Sequence, residues 1–545
     1  MLDIEAHQKG GGGYNGKTLA ERLAGRFYTP VQLANDLAKQ MIFALDVGSL
    51  SNVAVTDPFC GDGRLVVALL SAASMRPELT KLRWFVELRD REAEAAAQAG
   101  ERVDAAASLL GMSVETRVIV GDTFKCDLSP RFDLVITNPP WELLKPDSRE
   151  LKHLSPDKAE QYKANLKDAS KQLDHRFPDA RAGNAWGGWG TNLARCGWDL
   201  SLSIARSGGV VGVILPATIM GDQSSTKMRR KAFGLNRLVD AAVYPAEARL
   251  FERVDQPVVA LTMRSGGGAC GDGRIRSFSS DRVQSGEQLI KLDRQAMEVR
   301  GWTIPVGRPS GADELMGKFI NLPTLQEWEG EGASDLWLGR ELDETRIVEK
   351  VTAGDQYPFI KGRMIQRHEV VEAPTMSVRP TLCASFHSAN KPRAVWRDVA
   401  RATSKRRMIG TVIPPGWIAG NSLHVACYRD GDSKRTAALH ALLSSFVVEA
   451  QVRSRLTTGH MSLGVVRQAR VPVLHCGLVE RLSPLADRAM NGGCASAEYR
   501  LEISVAKAFG FNREDFARLL DDFPKLDHVE RQALTNAEVW NDSTL

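Results

Sequence analysis

The segment Asn138-Pro139-Pro140-Trp141 joins a polar amide, two rigid backbone positions and a large aromatic ring directly after the apolar residues 134–137. Prolines cannot donate to a β-ladder, so the pair must end the strand that these apolar residues predict. Asn138 then lies at a strand's carboxyl end, where its side-chain oxygen and the Pro139 carbonyl could hold an amino group. The alternative is an ordinary turn whose tryptophan packs into the core.

Polar residues also close three other predicted strands, which stand out as short runs rich in Val, Ile and Leu. Ligands of parallel sheets bind beyond the carboxyl ends of the strands. Gly61 and Gly63 follow the first strand and permit a tight loop that a ligand can approach closely. Glu87 ends the second strand, 30 residues after Asp57, where such sheets place an acid for ribose hydroxyls. The third strand ends at Asp122. One such acid is often only a helix cap, whereas four polar strand ends in one unit favour a ligand site.

These strand ends come together only in a parallel sheet, and the pattern of residues 50–264 predicts one. Short apolar strands alternate there with stretches of helical composition at 63–74, 89–110 and 193–206. This alternation predicts a mostly parallel sheet with helices on both faces. The predicted fold class is therefore α/β and Rossmann-like, with two closing strands in RLVDAAVYP and QPVVALTMR. Ahead of the sheet, GRFYTPVQLANDLAKQMIFAL predicts a helix with Thr29 as its N-cap.

This arrangement resembles the S-adenosylmethionine-dependent methyltransferases, and more closely the DNA methyltransferases that modify amino groups. Their signature is Asn/Asp-Pro-Pro-aromatic after the fourth strand. GRFYTP resembles their motif ahead of the sheet, and DPFCGDG resembles their first glycine loop. GDTF resembles the segment whose acid meets the adenine amine of the cofactor. Phe59 and Asp62 stand where small residues are more usual. The order of the motifs is that of the gamma-arranged, TaqI-type enzymes, and the match covers residues 25 to about 264.

The resemblance implies S-adenosylmethionine as the cofactor. The residues that it implies for cofactor binding are Thr29, Asp57, Phe59, Gly61, Gly63, Glu87, Asp122, Thr123 and Phe124.

The resemblance further implies methyl transfer to N6 of adenine, a poor nucleophile whose lone pair is delocalised into the ring. The Asn138 oxygen and the Pro139 carbonyl could accept from both N6 hydrogens and favour a pyramidal nitrogen, while Pro140 keeps the backbone rigid. Trp141 offers a flat face to an adenine flipped out of the duplex, and such stacking stabilises by about 1–3 kcal/mol. Candidates for covering the other face, each more readily explained by core packing, are Trp186, Trp189 and Phe233.

The chain divides into four predicted parts. Residues 1–24 form a flexible leader and 25–270 the catalytic domain, which contains a polar insertion at 142–191 that we interpret as a lid or clamp. The segment RSGGGACGDGR marks the end of that domain. Residues 271–480 resemble, more loosely, the α+β target-recognition domain of the same enzymes, and 481–545 resemble their closing helices.

Positive charge is concentrated in the second half of the chain. Between Asp355 and His475 there are 18 Lys and Arg against 7 Asp and Glu, although the whole chain has a net charge of only +5. This excess favours a surface that faces a polyanion over an ordinary solvated face. We therefore predict double-stranded DNA as the partner, contacted mainly at its phosphates. The predicted DNA-binding residues are Lys361, Arg363, Arg367, Arg401, Lys405, Arg406 and Arg407.

Length and composition exclude several other classes. A chain of 545 residues with 43% hydrophobic and 25% charged residues is typical of a globular protein of two or three domains. No apolar run reaches the roughly 18 residues of a membrane span, and the N-terminus lacks a signal pattern. The eight cysteines include no CxxC pair, which indicates reduced thiols and no metal centre. We predict a monomer in the bacterial cytoplasm, associated with the nucleoid.

Three other functions fit parts of the sequence. A protein-glutamine methyltransferase uses the same signature, since a side-chain amide has the same delocalised lone pair, but such chains are short and lack a large basic domain. An RNA adenine methyltransferase would need an RNA-binding module, and none is apparent. A catalytically silent DNA-binding subunit would not need the complete signature. By resemblance, the setting is a Type II restriction–modification system with a separate cognate endonuclease and an asymmetric target.

Overall fold

The computed structural model divides the chain into two compact units, Met1–Val306 and Gly307–Leu545. It describes residues 29–48, 50–146, 151, 154–182, 190–251, 256–306, 315–330, 335–343, 351–352, 357–378, 387–400, 404–456, 460–536 and 538–541. The predicted leader lies outside these ranges. No helix within them is long and apolar enough to cross a membrane.

A nine-stranded sheet forms the centre of the described part of the first unit, in the order β11-β10-β8-β9-β7-β4-β1-β2-β3. Along that order, each strand from β7 to β3 runs parallel to the next one. β9 lies between β7 and β8 and is antiparallel to both. The carboxyl ends of β1 to β4 therefore share one edge. The strands of this unit are β1 (Asn52–Asp57), β2 (Arg83–Asp90), β3 (Ser113–Val120), β4 (Phe132–Thr137), β5 (Leu143–Leu144), β6 (Thr191–Asn192), β7 (Ala205–Pro216), β8 (Asn236–Tyr244), β9 (Val258–Gly267), β10 (Asp272–Phe278) and β11 (Gln284–Lys291).

Helices cover both faces of this sheet. They are α1 (Val31–Ala44), α2 (Arg64–Ser74), a single turn at Pro77–Thr80, α3 (Ala93–Leu110), α4 (Pro156–Arg176), α5 (Leu193–Ile204), α6 (Thr226–Leu235) and α7 (Arg294–Val299). On one face, α1 buries Leu33, Leu37 and Met41, whose spacing of four residues places them on one side of the helix. On the other face, α5 and α6 bury Trp198 and Phe233. The α/β prediction is confirmed.

The sheet continues beyond the predicted domain boundary at residue 270. β10 lies parallel to β8, and β11 pairs antiparallel with β10 at the edge. The glycines of RSGGGACGDGR, including Gly267 and Gly271 with φ of 84° and 74°, turn the chain between β9 and β10, two strands of one sheet that lie on either side of β8. A glycine-rich turn and an interdomain linker look alike in sequence, and the first unit in fact extends to Val306.

The predicted insertion, residues 142–191, is closed by the two-stranded ribbon of β5 and β6. Between the strands lies α4, whose buried residue is Leu166. Thr191 in β6 donates from its hydroxyl to Asp174 in α4 over 2.8 Å, which ties the helix to the ribbon. The insertion therefore has its own secondary structure and fixed ends.

The second unit is α+β, with two four-stranded sheets and one two-stranded ribbon among its described residues. Its strands are β12 (Leu336–Gly339), β13 (Val351–Thr352), β14 (Tyr357–Ile360), β15 (Ile365–Gln366), β16 (Glu369–Val370), β17 (Ser377–Val378), β18 (Arg393–Arg397), β19 (Gly410–Ile413), β20 (Ile418–Ala419) and β21 (Leu423–Tyr428). Its helices are α8 (Met316–Phe319), α9 (Leu325–Gly330), α10 (Ser433–Leu443), α11 (Phe446–Arg453), α12 (Leu463–Arg467), α13 (Cys476–Met490), α14 (Ala495–Ala508), α15 (Arg513–Leu519) and α16 (His528–Asn536).

The C-terminal helices are part of the core of this second unit. Leu482 in α13, Leu501 in α14 and Phe516 in α15 belong to the same buried cluster as Trp396 in β18. The predicted closing segment, residues 481–545, thus shares its core with the sheet that precedes it.

Candidate functional site

The Asn-Pro-Pro-Trp segment leaves β4 at the shared strand edge and is held by α5. Pro139 packs directly against Gly197, where an added Cβ would overlap the proline ring and approach Phe59 within 3.3 Å. The amide of Leu193 donates to the Glu142 carbonyl over 2.9 Å, which fixes the exit of the segment. The close approach of Pro139 therefore requires glycine at position 197.

Asn138 is linked to the motif ahead of the sheet. Its amide nitrogen donates to the buried Thr29 hydroxyl over 3.2 Å. This contact corrects the predicted N-cap, because α1 begins at Val31 after Pro30 and has no side-chain cap. The Thr29 hydroxyl orients the Asn138 amide and therefore does not cap the helix. Two segments more than 100 residues apart, one predicted to bind cofactor and one predicted to be catalytic, thus meet in one hydrogen bond.

Asp62 extends this link into the glycine loop. Its carboxylate is buried and accepts from Arg64 over 2.6 Å and from Arg102 over 2.5 Å. Burial alone would raise the pKa of Asp62, but the hydrogen bonds and charges of both arginines lower it. Arg64 also donates to the Thr29 carbonyl over 2.9 Å. A continuous chain of hydrogen bonds thus runs from α3 through the glycine loop to Asn138, which gives the unusual Asp62 a positioning role.

The glycine loop itself needs its glycines. Gly61 and Gly63 have φ of 50° and 80°, in the left-handed region that side chains other than glycine rarely adopt. A Cβ at Gly63 would also lie 2.9 Å from the Cα of Ala99 in α3. The loop is therefore tight against α3, as the sequence predicts.

Asp57 lies fully buried at the end of β1. It accepts from the Thr137 hydroxyl over 2.7 Å and from the Phe59 amide over 3.0 Å. Its second oxygen is buried without a hydrogen-bond partner among the described residues. Burial raises the pKa of Asp57 to about 7, against the effect of these two hydrogen bonds. An uncompensated carboxyl at the strand edge fits a site for a ligand with positive charge or donor groups.

The second strand ends at Asp90, so the prediction that it ends at Glu87 is wrong. Glu87 lies within β2 and forms ion pairs with Arg89 at 2.8 Å and Arg131 at 3.3 Å. Asp90, at the strand edge, accepts from the Gly61 amide of the glycine loop over 2.9 Å. The sequence offers two acids in ELRD, and apolar content does not mark which of them is last.

Asp122, Thr123 and Phe124 form a short turn two residues after β3. The Asp122 carboxylate accepts from the Phe124 amide over 3.1 Å, and the Thr123 hydroxyl donates to the Pro58 carbonyl over 2.7 Å. The Phe124 ring contacts Phe59 with centroids 5.1 Å apart. The structure therefore brings these predicted residues to the glycine loop.

Phe177, which follows α4 in the insertion, was not predicted to belong to the site. Its ring packs edge-on against Phe124, with the centroids 6.0 Å apart, and it is fully buried. The insertion contains four aromatic residues, Tyr162, Phe177, Trp186 and Trp189, and the sequence does not mark Phe177 as the one that packs against Phe124. Phe177 connects the insertion to the predicted cofactor residues.

Trp141 is half-buried, and its ring packs edge-on against Phe251 with centroids 5.1 Å apart. Its indole nitrogen donates to the Ile214 carbonyl over 3.4 Å.

Phe233, a candidate for the other face of the base, is a core residue, because it is buried and its ring centroid lies 5.6 Å from that of Trp198. Trp186 and Trp189 lie outside the described residues.

The basic residues predicted to bind DNA fall into two groups. Arg367 and Arg406 are buried in ion pairs with Glu498, Glu502 and Glu449, and Arg406 stacks 3.7 Å from the centroid of the Phe446 ring. Their guanidinium groups are engaged by carboxylates of this chain, so DNA binding by these two residues stays a prediction that the ion pairs do not favour.

The remaining predicted residues differ from that buried pair. Arg363 is 69% exposed beside Glu372, and Lys405 is 43% exposed beside Glu530. Lys361 contacts the Phe359 ring, and the Arg407 amide donates to Glu449. Arg401 lies outside the described residues.

Several solved structures are similar to this chain at low sequence identity. A nuclease-deletion mutant of the Type ISP restriction-modification enzyme LlaGI, in complex with a DNA substrate mimic, matches with a TM-score of 0.51 and 9% identity, over 86% of this chain and 55% of that one. The Type IIL restriction-modification enzyme MmeI, in complex with DNA, matches with a TM-score of 0.49 and 11% identity, over 93% and 76%. The type IIG restriction endonuclease BpuSI matches with a TM-score of 0.41 and 14% identity, over 93% and 65%.

This chain therefore spans 55% of the LlaGI chain and 65% of the BpuSI chain. No family model and no curated protein matches the sequence. The likeness concerns the fold, a Rossmann-like sheet with helices on both faces.

Proposed function

We propose that the chain is a DNA methyltransferase that transfers a methyl group from S-adenosylmethionine to N6 of an adenine. The observation that carries this proposal is the hydrogen bond between Asn138 and Thr29 at the edge where Asp57 and the glycine loop also lie. It joins the predicted acceptor of the target amino group to the predicted cofactor residues. The likeness of the fold to a restriction-modification enzyme bound to a DNA mimic supports the same interpretation.

The residues at the strand edge suit the cofactor. The glycine loop permits close backbone approach, and Asp90 takes the place that the sequence analysis gave to Glu87 as the acid for ribose hydroxyls. Asp122 and the Phe124 ring would hold the adenine moiety. The buried oxygen of Asp57 is an acceptor for a donor or positive group of the cofactor. When bound, S-adenosylmethionine supplies an electrophilic methyl group.

The residues of this chain would then prepare the target nitrogen. Because the Asn138 nitrogen donates to Thr29, the oxygen of the same amide is the atom that can accept from a target amino group. The Pro139 carbonyl accepts the second hydrogen, and the packing of Pro139 on Gly197 holds this acceptor in place. Trp141 stacks on the flipped base. Alignment of the nitrogen lone pair is thus built into the fold before the substrate arrives.

The second unit would bind double-stranded DNA through exposed cations such as Arg363 and Lys405. We propose the setting of a Type II restriction–modification system, with a separate cognate endonuclease, a monomeric enzyme and an asymmetric target. Methylation of RNA or of a protein amide is the alternative for the same site.

The rate of methyl transfer by the Asn138→Ala variant, compared with that of wild type, tests the proposal. Wild type should transfer tritiated methyl from the cofactor to duplex DNA, with the label recovered as N6-methyladenine. In Asn138→Ala we expect kcat to fall by about two orders of magnitude or more, with DNA and cofactor affinity little changed, because the acceptor is used mainly in the transition state. Asn491→Ala, at an exposed asparagine after α13, is the matched control. Near-normal turnover in Asn138→Ala would remove the assignment of the site. Recovery of the label on RNA, on protein or on cytosine would show that this molecule or base, and not adenine in DNA, is the methyl acceptor.

A further inference from the structure

The second unit contains an open pocket of about 690 Å³ that is lined by none of the predicted DNA-binding residues. It lies between β12, the end of β21 and the segment ahead of β18. Its lining includes Trp337, Arg340, Lys391 and Arg429, and no Asp or Glu among the described residues contributes to it. This volume falls within the range of roughly 300–1,000 Å³ that is typical of sites for small molecules or single groups of larger ones.

Two of the three cations of the pocket, Lys391 and Arg429, have no acidic partner among the described residues. The Arg340 side chain is 46% exposed and lies 3.1 Å from Asp398. Lys391 donates to the Arg429 backbone carbonyl, which carries no full charge. Arg429 is exposed and has no acidic partner among the described residues. The pocket therefore carries a net positive charge, and guanidinium and ammonium groups in this arrangement favour phosphate oxygens.

The wall of the pocket is rigid. Ser388, which lines it, donates from its hydroxyl to Glu341 over 2.6 Å. Glu341 also pairs with Arg393 at 3.2 Å, with both side chains fully buried, and accepts from the Ala419 amide over 2.7 Å. A buried ion pair, in which the terminal nitrogens of Arg393 also donate to the carbonyls of Ser388, Pro414 and Trp417, holds the segment that carries Lys391. The backbone that carries these cations is therefore held in place, so less conformational entropy is lost when a ligand binds.

Trp337 adds an apolar surface to this charged pocket. Its ring lies against Gly339, where an added Cβ would overlap it, and it is half-buried. An aromatic face beside several cations matches the two parts of a nucleotide, since the base can stack on the ring while phosphate meets the cations.

We propose that this pocket binds one nucleotide unit of the DNA, with its base, unstacked from the duplex, against Trp337 and its flanking phosphates on Arg340, Lys391 and Arg429. The inference rests on the proposed function and names DNA contacts outside the predicted set. It adds contacts at the ends of β12 and β21 to those of Arg363 and Lys405, away from the ion-paired Arg367 and Arg406.

Salt-dependent DNA binding by the full-length protein tests the pocket. In Lys391→Gln/Arg429→Gln we expect the dissociation constant for duplex DNA to rise about tenfold. The slope of log affinity against log salt should become shallower by about 2, since each phosphate that is no longer neutralised lowers it by roughly 0.9. Arg481→Gln/Arg488→Gln removes the same charge from exposed positions of α13 and should leave both quantities unchanged. Trp337→Ala should weaken binding without altering the slope, whereas Trp337→Phe should bind nearly as wild type.

The outcomes separate the pocket from the proposed function. If wild type methylates DNA and the two double variants bind it equally, the pocket is not a DNA site. If wild type binds DNA through the pocket but transfers no methyl group, only the proposed function fails. A second experiment titrates the protein with deoxyadenosine monophosphate. Submicromolar binding of the free nucleotide, with unchanged DNA affinity in Lys391→Gln/Arg429→Gln, would make the pocket a site for a free nucleotide and overturn its assignment to DNA.

Discussion

Buried carboxylates are compensated differently in the two units. In the second unit, Glu449 is fully buried and pairs with Arg406 at 2.8 Å and with Arg453 at 2.7 Å. Its burial would raise the pKa, but these arginines lower it. In the first unit, Asp57 is equally buried but has no ion pair within the described residues, and its pKa is raised to about 7. Charge that holds the second unit together is neutralised within it, whereas the carboxyl of Asp57, at the proposed site, has no such partner among the described residues.

Asp62 is intermediate between these two cases. Its carboxylate is 5% exposed, like that of a structural ion pair, but Arg64 and Arg102 remain 31% and 47% exposed. The glycine loop therefore keeps its cations at the rim of the proposed cofactor site. The same pairing that fixes the loop also places positive charge where solvent or ligand can reach it.

Loss of Arg406 should have the largest effect. Arg406→Ala leaves Glu449 and Glu502 buried with less compensation and removes the contact with the Phe446 ring. We expect the free energy of unfolding of the second unit to fall by about 3–5 kcal/mol, measured by urea denaturation. Arg363→Ala removes an arginine from the exposed pair with Glu372, and such pairs typically contribute about 0–1 kcal/mol. Equal losses in the two variants would contradict the distinction between buried and exposed pairs.

The sequence predicts well which residues meet at the strand edge of the first unit, because topology converts chain order into position. Once the sheet is parallel, residues that end successive strands must meet at one edge, and Asp57, Gly61, Gly63 and Asn138 do so. The exception is Glu87, since the strand runs three residues further, through charged residues that do not suggest a strand.

The sequence predicts the basic surface of the second unit poorly. Counting Lys and Arg reveals an excess of charge but not which side chains reach solvent. The acids that bury Arg406 lie 43 and 96 residues away in the chain, so only the tertiary structure brings them together. Arg340, by contrast, lies outside the basic block, and nothing in the residues around it indicates a pocket.

The uncompensated charge of Asp57 should make the stability of the first unit depend on pH. An unfolded aspartate has a pKa of about 4, so between about pH 4 and pH 7 the folded protein retains a proton that the unfolded chain has lost. Stability from this group is therefore full below pH 4 and is lost as the pH rises through 7, at up to about 1.4 kcal/mol per pH unit. Asp57→Asn keeps the acceptor oxygen for Thr137 but carries no charge.

Thermal unfolding from pH 5 to pH 8.5 measures this difference. Asp57→Asn should be more stable than wild type at pH 8, and the difference should shrink towards pH 5. Glu449→Gln is the opposite control, because the folded state lowers the pKa of Glu449 and the charged form is the stabilising one. Parallel pH profiles for wild type and Asp57→Asn would show that Asp57 is compensated after all.

Asp62 gives the smallest predicted effect, and one that separates positioning from folding. In Asp62→Asn the side chain can still accept from one arginine, but it no longer balances both. If the proposed function holds, S-adenosylmethionine should bind about tenfold more weakly by calorimetry, since the cofactor must then hold the glycine loop in place itself. Because Arg64 also fixes Thr29 and through it Asn138, kcat should fall with the cofactor saturating. Arg102→Gln, which removes only the outer partner, should weaken cofactor binding less and leave kcat unchanged. A loss of thermal stability with unchanged cofactor affinity and kcat would make Asp62 a purely structural residue, equivalent to Glu449 in the second unit.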